Sequence, residues 1–180
     1  SSPSAAYAAI RSYATDNEFR PIGPTWTGAL KALRGCVTHY PHDGLLLAGV
    51  LAPDDSDVRK TLIRAWGAAK LASSPKPADD IELPIGNRQR RLDATPYDVL
   101  AVVASWNKDE TRPAVADMFA RGGNADHPTA WHALTPARRL AADLWPTAAV
   151  VGNVLNSEDL YLEAINHPAG DLAQFWINVV

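Results

Sequence analysis

The sequence has one cysteine, Cys36, and no second one to pair with it. That excludes an internal disulfide and any zinc arrangement built mainly on cysteine, and it fits a reducing, cytoplasmic setting. Neither charge is in marked excess. Seventeen basic and 20 acidic residues leave a formal net charge of −3, which excludes a strongly cationic nucleic-acid binder. No apolar run approaches the ~20 residues of a membrane-spanning helix; the longest, Gly44 to Ala52, is too short. β-Branched residues nowhere alternate with polar ones over the length of a strand, so half-buried strands are not expected. The opening residues, Ser1-Ser2-Pro3-Ser4, carry no methionine, basic region or apolar core, and read as neither a translation start nor a signal peptide.

What the chain does have is alanine, at 31 of its 180 residues, together with 14 prolines and a hydrophobic content of 47%. Size scaling allows about 70% of the unfolded surface to be buried, enough for one real core. Alanine is the best helix former, and proline starts helices well at their first position. These features predict an all-α fold, an irregular or solenoid-like array of short helices, as a single domain over 1–180. A proline-rich, charged stretch over 73–93 is the one candidate break.

The apolar spacing places the helices. A first is expected over Ser4 to Ala14, with Ala6, Tyr7, Ile10 and Ala14 on one face. A second follows Pro24, capped by Thr25 and carrying Leu30, Leu33 and Val37. Gly44 to Ala52 reads as a short apolar helix. Asp54-Asp55-Ser56-Asp57 then caps a helix with Val58, Leu62, Trp66 and Ala69 as its buried stripe and Arg59, Lys60, Arg64 and Lys70 as a basic face. Thr95-Pro96 opens a helix through Leu100, Val103 and Trp106. Helix starts are also expected at Arg112-Pro113, His127-Pro128 and Thr135-Pro136. Pro146 should kink the last of these or start a new helix through Val150, Val151 and Val154. Asn156-Ser157-Glu158-Asp159 caps a short helix from Leu160 to Ile165. Leu172, Phe175, Trp176 and Val179 form a final stripe still running at Val180, which predicts a piece of a longer chain.

Trp26, Trp66 and Trp106 are 40 residues apart, near a HEAT-type period. Their places differ, however: Trp26 opens a helix, Trp66 lies inside one and Trp106 closes one. The spacing does not by itself make a repeat.

Few constellations carry chemistry. Cys36, His39 and His42 are three apart, but Pro41 interrupts the face and Asp43 is the only acid at hand to complete a metal set. A small thiol with two helix-end histidines explains them as well. His127 and His132 flank Trp131 next to Asp126, a setting where an imidazole can move a proton, yet a nucleophile is not evident beside them. Ser56, Ser105 and Ser157 all fall at expected helix caps or ends. Arg88, Arg90 and Arg91 together with the basic face can meet phosphates, but no aromatics interleave for base stacking. No nucleophile elbow, phosphate loop or His-Glu-x-x-His pair occurs. Hence no catalytic residue, no cofactor and no metal is expected within the chain.

The most distinctive stretch is Ala164-Ile165-Asn166-His167-Pro168-Ala169-Gly170-Asp171-Leu172-Ala173-Gln174-Phe175-Trp176. Asn166 or His167 caps, Pro168 sets the first turn, Gly170 allows close approach, and Phe175 and Trp176 dock a bulky face. This string resembles a motif in the helical C-terminal region of large bacterial sirtuin-like antiphage defence proteins. The resemblance implies a recognition or scaffold region whose Asn166, His167, Pro168, Gly170, Phe175 and Trp176 fix one structural corner. It implies partners among the other domains of a longer chain and a phage protein, with the NAD-consuming domain elsewhere. The sirtuin nucleotide turn and catalytic stretch have no counterpart among these residues, so none is carried over. The rival reading is a free-standing helical nucleic-acid-binding domain or small enzyme using His127, His132 and the Arg88 to Arg91 run.

Overall fold

A computed structural model describes residues 2–14, 25–53, 55–73, 93–149 and 168–179. Among them the fold is all-α, with eight α-helices and no strand. They are α1 (Pro3–Ser12), α2 (Trp26–His39), α3 (Pro41–Ala48), α4 (Ser56–Ala68), α5 (Pro96–Ala104), α6 (Lys108–Arg121), α7 (Thr135–Ala149) and α8 (Pro168–Ile177), with a 3-10 turn at Trp131–Ala133 before α7.

Capping chemistry sets several starts. Thr25 accepts from the Gly28 amide at the head of α2. At α5 the capping box is complete: Thr95 Oγ1 accepts from the Asp98 amide, and the Asp98 carboxylate accepts from the Thr95 amide at 2.9 Å. Asn107 heads α6 by accepting from the Asp109 amide.

Several expectations from spacing are corrected. α1 ends at Ser12, and the apolar Gly44 to Ala52 segment is helical only as part of α3, which begins at Pro41 and stops at Ala48. A proline at the first position pulls the start forward. Pro113 does not open a helix; it lies inside α6, exposed, one and a half turns from the start. His127-Pro128 opens none either: the His127 amide is bonded back to Asn124 in a bend, and the next helical turn is the 3-10 turn at Trp131. α7 begins at Thr135 as expected but runs through Pro146 to Ala149. Asp55 precedes α4 without a side-chain cap bond. Arg59 belongs to no solvated face, being only 8% exposed. The expected helix start at 156–159, the segments over 150–165 and most of 73–93 lie outside the described residues.

The helices pack in two rows. α2, α4, α6 and α8 follow one another in one, while α1, α3, α5 and α7 follow in the other, with α2–α3, α3–α4 and α7–α8 contacts joining them. Within each row a helix buries its face on the next, as in an irregular array of short helices. α4 sits in the middle of its row, between α2 and α6, and also meets α3 of the other row; its Val58, Leu62, Ile63, Ala65 and Trp66 are fully buried. One hydrophobic cluster runs from Leu33 to Phe175, across the 73–93 stretch. The ends of that stretch also meet, where the Ala72 amide donates to the Ala94 carbonyl at 3.0 Å.

Aromatic placement follows this layering. Trp66 and Trp106 stack at 6.0 Å, so two members of the 40-residue series meet inside one core, while Trp26 donates from its indole to Asp57 at the head of α4. No described helix is long and apolar enough to cross a membrane.

Candidate functional site

Among the described residues, a network of polar side chains centred on the buried Asp55 and Arg59 lies where the α3–α4 connection meets α1 and α6. Asp55 is 3% exposed. Its carboxylate accepts from the Tyr7 hydroxyl and, at 2.6 Å, from Arg11 Nη1, both on α1. Tyr7 Oη in turn accepts from the Ala52 amide at 3.1 Å. On the inner side Arg59 donates to the Pro53 carbonyl at 2.7 Å and the Ala52 carbonyl at 2.9 Å, and reaches Glu110 of α6 at 3.5 Å. The same guanidinium lies 5.8 Å from the Trp106 ring, a cation–π distance.

These contacts answer a desolvation problem. Burial pushes the Asp55 carboxyl above the ordinary carboxylate range, while the Ala52 backbone hydrogen bond and the Arg59 charge pull it back. A buried charge persists only where it is paired and hydrogen-bonded. The group therefore works as a structural joint, tying α1, the α3–α4 connection, α4 and α6 at one place. Arg59 Nε is buried without a protein partner.

Sequence spacing gave only part of this. Asp55 was expected as a helix cap, and its true partners lie 44 and 48 residues away. Charge alone groups Arg59 with Lys60 and Arg64 on the basic face of α4, yet 59, 62, 63 and 66 follow helical spacing, which places it inside the stripe of Leu62, Ile63 and Trp66.

The histidines of the loop after α6 face inward. His127 Nδ1, Trp131 Nε1 and His132 Nδ1 are all buried without a protein partner. A Cβ at Gly67 would stand 3.6 Å from His127 Nδ1, so that ring lies against α4, while Asp126 is exposed. Gly122 and Gly123 make the loop fit. A Cβ at Gly122 would come within 2.6 Å of Trp131 Cδ1, and Gly123 takes φ +89°, where other residues are strained.

The remaining sequence candidates are dispersed. Cys36 is exposed on α2, His39 ends that helix and His42 lies in the first turn of α3. Among the described residues no group of three or more His, Cys, Asp or Glu side chains is placed to hold a metal. Arg88, Arg90 and Arg91 lie outside the described residues, as do Asn166 and His167 of the terminal motif. Of that motif, Pro168 occupies the first position of α8 and Gly170 its first turn. Phe175 is fully buried, stacked 4.9 Å from Phe119 of α6, with Trp176 edge-on to it at 5.4 Å. The last apolar stripe thus finds its cover on α6. Beside it, burial and the neighbouring Asp117 carboxylate raise Asp171 above its ordinary range, against a lowering pull from Arg121.

Compared with protein-family models, curated proteins and solved structures, the chain matches none.

Proposed function

We propose that this chain is a protein–protein recognition or scaffold region of a cytoplasmic bacterial antiphage defence protein, with the NAD-consuming domain outside it. The reading rests on the resemblance of residues 164–176 and, above all, on the use that α8 makes of that motif. Phe175 stacks on Phe119 of α6 and Trp176 lies edge-on to Phe175, an aromatic contact that supports the reading of these two residues as part of a structural corner. Tyr40, Leu46, Tyr97 and Trp145 remain exposed and offer apolar contact to other domains or to a phage protein. The alternative of a nucleic-acid surface is weakened by Arg59, whose charge is turned inward.

The test uses the full gene, expressed in a host challenged with phage. Plaque numbers should fall and intracellular NAD should drop on infection, and both effects should be lost in a Leu46→Glu, Tyr97→Glu variant that keeps the wild-type melting temperature. An open reading frame with no sirtuin domain, or a full-length protein that neither protects nor consumes NAD, would overturn the reading.

A further inference from the structure

We infer that α1 is a releasable strap, held by a polar clasp on the α3–α4 connection and able to leave while the rest of the array stays folded. The observation is a contrast in how α1 and its neighbours are attached. α1 buries no residue, whereas every other described α-helix buries at least two residues, although on α3 one of these is Gly44. Tyr7 and Ile10 pack only partly against the core. α1 also lies against α2 and α3, and three side-chain bonds from it meet at one place: the Tyr7 hydroxyl and the Arg11 guanidinium donate to Asp55, and the Ala52 amide donates to Tyr7 Oη.

The connection they grip is held a second time from within. Arg59 binds the Ala52 and Pro53 carbonyls and extends to Glu110 and Trp106 without using any atom of α1. Removing α1 therefore takes away the outer grip and leaves the inner one. Opening is confined to α1, the condition for a local unit that opens below the global unfolding free energy. Release uncovers the Asp55 carboxylate at the head of α4, which is buried while the strap is docked, and frees the Ala52 amide in the α3–α4 connection from its bond to Tyr7.

Hydrogen exchange on the intact chain, read by mass spectrometry, tests this. α1 amides are expected to exchange at least tenfold faster than those of α4 and α6. Tyr7→Phe and Arg11→Gln should each speed α1 exchange several-fold further, with α4 and α6 unchanged. The inference is overturned if α1 is as protected as α4, since it would then open only with the whole molecule. It is also overturned if both variants leave α1 exchange unaltered while Ile10→Ala accelerates it, because apolar packing would then be the attachment. The wild-type comparison stands even if a variant fails to fold.

Discussion

Single residues show how tightly the rows are set. Gly44 of α3 lies where any side chain would intrude: a Cβ there would come within 2.6 Å of Val37 Cγ1 and 2.9 Å of Trp66 Nε1, which itself donates to the Pro41 carbonyl. Alanine is the better helix residue by ~1 kcal/mol, but overpacking costs ~1–3 kcal/mol and wins. Gly44→Ala is thus expected to destabilise the fold, read as a lower denaturant midpoint at unchanged slope. Asp171 gives the opposite sign. Its folded-state carboxyl is raised, so its contribution to stability is full below the unfolded carboxylate range and is lost as pH rises through the folded value. Asp171→Asn removes the repulsion from Asp117. It should stabilise the protein at pH 7 by ~0.5 kcal/mol, a modest figure because the site is partly solvated. The gap between variant and wild type should close as the pH falls towards about 4 in a series of melting curves.

At the scale of the element, the caps and the prolines act in opposite directions. Thr95 completes a buried capping box on α5, and Thr95→Ala is expected to cost ~1–2 kcal/mol, measured by chemical denaturation. Pro113 interrupts α6: it has no N–H to offer the Asp109 carbonyl, and its exposed ring contributes little packing. Pro113→Ala should therefore raise stability by ~1–2 kcal/mol, part of the ~3 kcal/mol a helix-interior proline costs, the rest being retained by the unfolded chain's greater freedom. An unchanged midpoint would mean that α6 has already adjusted to the ring. The same helix explains why Arg112-Pro113 misled as a start signal. Asn107, five residues earlier, already supplies the cap, and the aromatic and apolar faces of α6 are claimed by α4 and α8.

For the whole molecule, α8 is the element that joins the far end of the core to α6. Phe175→Ala removes a fully buried ring and should cost ~3–5 kcal/mol. Calorimetry should show the melting temperature lowered by ~10 °C in one transition, since a chain of this size loses a few degrees per kcal/mol. Two separate transitions would show instead that α8 and α6 melt apart from α2–α4.

Much of this architecture was legible in the sequence, because its signals act within a few residues. The Thr25 and Thr95 starts depend on a side-chain oxygen accepting from an amide of its own first turn, the Pro168 start on a fixed φ at a position that needs no N–H, and the stripes Val58–Leu62–Trp66 and Leu172–Phe175–Trp176 depend only on a 3.6-residue period. The all-α fold follows from these and from the lack of alternating strands. What only the tertiary structure decided is which polar groups are buried and where a helix tolerates proline. Asp55 finds Tyr7 and Arg11 more than forty residues away, and Arg59 finds Glu110 at a separation of 51. No local pattern encodes such pairings. They arise when α1 and α6 close on α4 and the segment before it, leaving a buried carboxylate and guanidinium no stable alternative to pairing.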